Sequence, residues 1–308
     1  MLTAILMVTL VVPNLADAER AYAEWLGFRV TERGTISSQL AASWGAPLAA
    51  GSPYLLLKSA SDSEVYLRVI ERPPTPGYAA MRTHGWNSNE ILVEDPLALE
   101  NRFRAANSPF RVIGPTAPLG SNSKVIAMQA LGPADELNYF TRIPPEGGSF
   151  IKTPAKAFVD RTFIVVLGGP SMDAMRKFYA DALGLTVTEP YSSTVSVLQA
   201  ALKLPADGKI RIALATLSPG FLIELDEYPA ITVPRPQREG DLPPGMAMVT
   251  FLADKSSAQT GHGATRPRAE APYYGRAVTL MRGAAGEWLE IVTDGPAVSR
   301  DGTQRTAK

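Results

Sequence analysis

A stretch near the start of the chain, ILMVTLVVPNLADAERAYAEWLGFRVTE (residues 5–32), returns as TFIVVLGGPSMDAMRKFYADALGLTVTE (residues 162–189). Tyr22, Leu26, Gly27, Val30, Thr31 and Glu32 fall opposite Tyr179, Leu183, Gly184, Val187, Thr188 and Glu189 at a constant offset of 157 (179 − 22). A chain that repeats itself over this distance builds one supersecondary unit more than once, and no other feature limits its fold as strongly. The unit opens on an apolar run that stops at a Pro-Asn turn. A helix then starts at Asn14 as N-cap, with Asp17 and Glu19 in its first turns, where the helix dipole favours acids. The first copy also resembles a secretory leader, because Leu15-Ala16-Asp17-Ala18 is a small-residue stretch behind an apolar run. However, nothing before Arg20 is basic, and the run is too short to cross a bilayer. An internal copy cannot be a leader, so residues 5–32 read as a strand and helix of the mature fold.

The repetition extends further. Proline-rich stretches at 72–77, 143–148 and 233–245 cut the chain into four pieces of comparable length. Pieces one and three match beyond the opening unit: VYLRVIERP parallels FLIELDEYP, and each reads as a strand. Pieces two and four also pair. NEILVEDPLALENRFRAA gives a strand, an acidic turn and an amphipathic helix, and AMVTFLADKSSAQTG gives a matching strand and turn. Both end on hairpins in which Gly132 faces Gly283 and Tyr139 faces Glu290. The expected fold is α+β: four βαβββ modules in two tandem pairs, each pair forming a half-barrel cavity. The expected domains are residues 1–145 and 156–298, with 299–308 as a flexible tail.

Composition excludes several functions. Lys plus Arg equals Asp plus Glu at 30 each, so there is no electrostatic footprint for nucleic acid or an anionic membrane. The absence of cysteine removes disulfides, thiolate metal sites and a cysteine nucleophile, and fits a cytoplasmic location. No phosphate loop, dinucleotide fingerprint or serine elbow is present.

The module VTLVVPNLADAERAYAEWLGFRV resembles the opening of the vicinal oxygen chelate superfamily, which includes glyoxalases, bleomycin-resistance proteins and extradiol dioxygenases. MRKFYADALGLTV matches the family's helix ending through Phe178, Tyr179, Leu183 and Gly184. LMRGAAGEWLEIV resembles its last strand pair, with Gly286 at the turn and Glu290 where the family carries a carboxylate ligand. The resemblance covers roughly residues 3–294. It implies a divalent ion held by imidazoles and a carboxylate from facing strands, an N/O donor set with open positions for substrate. The positions that correspond here are Met7, Ser88 and Tyr139 in one pair and Ile164, Ala247 and Glu290 in the other. These do not make such a set, so the reading is of a protein without a metal or other cofactor.

The remaining polar residues define a candidate site in the second pair. Glu290, on a strand with Trp288 and Val292, is expected to face a pocket with its pKa raised by burial, as a general acid or base. The alternative is an inherited carboxylate with no catalytic task. His262, in TGHGATRPR, is either a second acid-base group or a solvated loop histidine, and His84 reads as a loop residue. Tyr273, Tyr274 and Arg276, in PYYGR, either hold an aromatic or carboxylate-bearing ligand or anchor a strand. Trp288 joins them as a candidate ligand contact. The expected function is that of a metal-independent lyase, isomerase or ring-opening enzyme acting on a small aromatic or carbonyl compound. The alternatives are a non-catalytic protein that sequesters a small hydrophobic ligand and a divalent-metal dioxygenase or glyoxalase. In every case the partner is a small molecule, with no nucleic acid or membrane, and the protein is a monomer or homodimer.

Overall fold

The computed structural model describes residues 1–119, 122–146, 151–254 and 266–293. His262 and the tail at 299–308 lie outside the described residues. Module one comprises β1 (Leu2–Val12), α1 (Leu15–Glu19), β2 (Arg29–Thr35), α2 (Ser38–Ser43), β3 (Pro53–Lys58) and β4 (Tyr66–Glu71). Module two comprises β5 (Gly85–Val93), α3 (Pro96–Phe103), β6 (Arg111–Leu119), β7 (Asn122–Leu131) and β8 (Leu137–Arg142). Module three runs through β9 (Val159–Gly169), α4 (Met172–Lys177), β10 (Thr186–Val187), β11 (Tyr191–Ser193), α5 (Ser196–Leu202), β12 (Ile210–Thr216) and β13 (Leu222–Glu227). Module four contains β14 (Gly245–Ala253), β15 (Arg266–Pro267), β16 (Ala277–Arg282) and β17 (Trp288–Thr293).

The repeated sequence forms repeated geometry. Asn14 and Ser171 cap α1 and α4, their side chains accepting from the N–H of Asp17 and of Ala174. Glu71 and Glu227, at the ends of β4 and β13, each accept a further helix N–H at 2.8 Å, from Leu15 and Met172. Both helices widen into a π-helical turn and stop at a glycine with positive φ, +75° at Gly27 and +66° at Gly184. Glycine enters that left-handed region without steric cost, which accounts for the repeated Leu-Gly pair. The repeated tyrosines are buried, and each donates to a glutamate of the next module: Tyr22 to Glu136 at 2.7 Å and Tyr179 to Glu287 at 3.0 Å. Burial raises the pKa of both carboxyls, that of Glu136 to about 7.

The strands form two half-barrel sheets. The first has the order β15-β16-β17-β14-β1-β4-β3-β2, and the second runs β10-β12-β13-β9-β5-β8-β7-β6. Strands of modules one and four therefore share the first sheet, and those of modules two and three share the second. Each half of the chain, 1–145 and 156–298, gives one module to each sheet, so the half-barrels form across the halves and not within them. The joints are the first strands of the modules, with β1 antiparallel to β14 and β5 antiparallel to β9. Such a strand has neighbours on both sides and covered faces, which explains the continuous apolar run of Leu2–Val12. The outer faces pack under α1, α3 and α4 in one apolar cluster that includes Val8, Tyr22, Phe103, Phe140, Leu167, Tyr179 and Phe251. Helices α2 and α5 lie over the opposite, concave faces, joining the clusters of Trp44 and Trp288 and of Leu198 and Ile212. Among the described residues no helix is long and apolar enough to cross a membrane.

Candidate functional site

On the concave face of the first sheet, strand register sets Glu290 opposite Thr250, and Arg68 opposite Thr9. Glu290 has no exposed surface, and its two oxygens are saturated. Oε1 accepts from the Trp44 indole at 2.7 Å and from Arg268, and Oε2 accepts from Thr250 at 2.8 Å and Tyr273 at 2.5 Å. Arg68 lies 3.5 Å from Oε2, donates to Thr9 and Tyr273, and stacks 4.7 Å from the centroid of the Trp44 ring. Burial alone pushes the carboxyl pKa up, as the sequence suggested. The Arg268 and Arg68 guanidinium groups, with the Tyr273 and Trp44 hydrogen bonds, outweigh it and hold the pKa down at about 2. The expected upward shift is thus reversed by two arginines that the strand pattern did not reveal as partners. At neutral pH Glu290 carries no proton to donate, and its lone pairs are already taken.

The neighbouring candidates support this plug. Tyr273 is buried and bonded to both Glu290 and Arg68. Arg276 donates to the carbonyls of Tyr273 and Pro272, fastening the turn, and Tyr274 adopts a positive φ of 48° in that turn. Trp288 is 1% exposed, with Arg282 3.1 Å from its ring centroid and its carbonyl accepting from the Trp86 indole. Met7 and Ala247 are packed into the same apolar cluster. Ser88, Tyr139 and Ile164 lie on the other sheet, so the two sets read from the sequence do not each share a cavity. His84 is buried, bonded to Thr232 at 3.0 Å, and burial lowers its pKa.

The second concave face is different. Across it run the paired rows Tyr139–Glu90–Ile164–Leu222 and Leu137–Ser88–Val166–Glu224, with Asp226 opposite Gly168. Residues paired across a sheet point to the same side, so Ser88, Glu90, Tyr139, Glu224 and Asp226 share one face. A Cβ on Gly168 would sit 2.4 Å from the Tyr228 ring, so glycine is what lets that tyrosine close in beside Asp226. Glu224 and Asp226 sit at i and i+2 on one face of β13, and Thr141 donates to Glu90 at 3.4 Å. Desolvation raises all three acids, with Glu90 at about 8 and Glu224 at about 7, and the Glu224 and Glu90 charges add to the upward shift of Asp226. Ser88 Oγ and Asp226 Oδ1 are buried without a hydrogen-bond partner. Helix α2 leads into Trp44, which satisfies Glu290. Helix α5 ends on Leu202 and Lys203, which have no indole to offer these acids.

Searches with the whole structure find close architectural matches. Glyoxalase I from Zea mays superposes with a TM-score of 0.60 at 13% identity, over 94% of this chain and 92% of that one. A putative dioxygenase from Bacillus subtilis gives 0.60 at 15% identity, over 98% and 88%. The chain has the vicinal oxygen chelate fold. No family model matches the sequence, and no curated protein matches it. Within the vicinal oxygen chelate fold the metal implied by the family has two places, and the donors fit it in neither. In the first sheet Arg68 and Arg268 already neutralise Glu290, and a guanidinium cannot ligate a cation. In the second, among the described residues no three His, Cys, Asp or Glu side chains converge to hold an ion.

Sequence reasoning missed Glu90, Glu224 and Asp226. The signal was present: ELD in FLIELDEYP puts two acids at i and i+2 on an otherwise apolar strand, hence on one face.

Proposed function

We propose that the concave face of the second sheet is the working site and that it moves protons on a small aromatic or carbonyl compound, as a metal-independent isomerase or lyase. The observation that carries this reading is the grouping of Glu90, Glu224 and Asp226 on one face of the sheet with the unpartnered Ser88 Oγ. Acid-base catalysis works best when the groups titrate near the operating pH. Glu224, at about 7, serves as base, and Glu90, at about 8, still holds a proton to give. In the isomerisation of an α-hydroxy carbonyl compound, the Glu224 carboxylate removes the proton from the hydroxyl-bearing carbon while the Glu90 carboxyl donates one to the carbonyl oxygen. The resulting enediol collapses when Glu224 delivers its proton to the former carbonyl carbon and Glu90, now a carboxylate, takes the proton of the other hydroxyl, so the carbonyl moves by one carbon and the catalyst returns unchanged. Asp226 positions Glu224. The Tyr139 phenol, whose pKa is raised by burial and by the nearby Glu90, Glu224 and Asp226 carboxyls, remains protonated and can donate to the developing oxyanion.

Proton transfer of this kind is detectable before the natural substrate is known. In deuterium oxide, a panel of small aromatic ketones, aldehydes and keto acids is expected to exchange carbon-bound hydrogen in the presence of the protein, read by proton NMR. Glu224→Gln should slow that exchange by roughly 10²–10⁴, and Glu290→Gln should leave it nearly intact in the fraction that stays folded. Binding of panel members without exchange would instead support sequestration, and loss of exchange in Glu290→Gln alone would return the site to the first sheet.

A further inference from the structure

Among the described residues, the charges acting on Glu90, Glu224 and Asp226 are one another's, with no lysine, arginine or histidine among them. The same three acids act on the rings at the margin of the face, Tyr139 on β8 and Tyr191 on β11, and Asp226 acts on Tyr228 beyond β13. Arg235 acts on Tyr228, and its N–H groups go to the carbonyls of His84, Trp86, Pro244 and Met246. The contrast with the first sheet is direct: there two guanidinium groups meet one carboxylate, and here three carboxyls meet no cation. Buried charges are ordinarily paired, and a site that lacks its counter-charge stays protonated until a cation arrives. A second observation also points to a ligand. Ser88 Oγ is 1% exposed, lacks a partner, and lies in the row that ends at Glu224. Tyr191, paired with Ile212 and through it with Asp226, lies in the same row at the edge of the face and is 48% exposed.

We propose that the compound bound at the second concave face carries a cationic nitrogen, an ammonium or protonated heterocycle, seated among Glu90, Glu224 and Asp226 beside the rings of Tyr139, Tyr191 and Tyr228. This rests on the reading of that face as the working site and names its ligand class. Aromatic rings beside the acids suit an organic cation, because the ring face attracts positive charge. The same rings offer little to a hydrated metal ion. Binding is coupled to proton release: the acids hold protons when the site is empty and lose them to accommodate the cation.

The test uses the full-length protein and benzyltrimethylammonium, whose charge does not change with pH, against neutral benzyl alcohol and anionic phenylacetate. Calorimetry is expected to show the cation binding at least about tenfold more tightly than the alcohol. Its affinity should rise between pH 5.5 and 8.5, and its binding heat should depend on the buffer's ionisation enthalpy as protons are released. The double variant Glu224→Gln, Asp226→Asn should erase the preference, and Glu290→Gln, checked for folding by circular dichroism, should keep it. Equal binding of cation and alcohol, or no binding of the cation, overturns the ligand class. Displacement of the cation by equimolar magnesium or manganese chloride overturns it in favour of a metal site. Hydrogen exchange on neutral carbonyl compounds would continue in each case if the proton-transfer reading is right. Tight binding of the cation with no exchange on any compound would remove that reading and leave this one.

Discussion

Glu290→Ala is expected to destabilise the folded protein by about 3–5 kcal/mol, because it leaves Arg68 and Arg268 buried without their anion. For a chain of this size that lowers the melting temperature by on the order of 10 °C. The pH dependence has a matching sign. The folded pKa of about 2 lies below the ordinary 4.5, so the folded state binds fewer protons than the unfolded one in that interval. The stabilisation is complete above pH 4.5 and is lost as pH falls towards 2, amounting to roughly 3 kcal/mol. Urea denaturation at pH 3 and pH 7 checks this: the variant's deficit should be large at pH 7 and shrink at pH 3. A Glu290→Ala protein as stable as the wild type would show that the arginines do not depend on it, and a group working as a general base would be free to show that behaviour.

Glu90→Gln should do the opposite and stabilise the protein. Burial raises the Glu90 carboxyl from 4.5 to about 8, with the Glu224 charge adding to it. Between those values the folded state keeps a proton that the unfolded chain has released, so stability falls as pH rises through the interval. The full penalty is present above pH 8 and is on the order of a few kcal/mol. Glutamine keeps the shape and can still accept from Thr141, and it never ionises. The variant should match the wild type near pH 4.5 and exceed it at pH 9, with a visibly flatter stability profile between them. A loss of stability at pH 9 would mean that the carboxylate is paired there after all. Retention of an acid that destabilises its own fold is the pattern expected of a working site, where stability is traded for reactivity.

The architecture was legible because backbone requirements repeat with the sequence. Gly27 and Gly184 end the same helices, Tyr22 and Tyr179 reach the same kind of glutamate, and Asn14 and Ser171 cap the same turns. Local chemistry wrote those features into short words. Which modules share a sheet was not legible. The partner of β1 is β14, from the far end of the chain, and nothing in the residues of either strand names the other. That single unknown displaced the site. With modules paired along the chain, Glu290 looks like an isolated carboxylate in an open slot. With modules one and four paired, Arg68 comes from the other end of the chain to neutralise it and Trp44 to hydrogen-bond it. The acids on the second sheet were passed over for a similar reason, since Glu90 belongs to module two and Glu224 and Asp226 to module three.

The strand order also sets a timetable for folding. The second sheet is continuous in sequence, spanning β5 to β13, and can close as soon as residue 227 has left the ribosome. The first sheet is split: β1 to β4 emerge early, but Val8 must wait for Val249 and the rest of β14. Throughout that interval the nascent chain carries β1 as an unpaired, strongly apolar edge, the kind of surface that recruits other chains. Loop closure over such a distance is slow, and the last event in refolding is expected to be the docking of module four onto module one. A pause in translation ahead of residue 245 is then the point of greatest aggregation risk, and chaperones that shield exposed strands act on the half-barrel sealed by Glu290 and its arginines, not on the one that holds the acids.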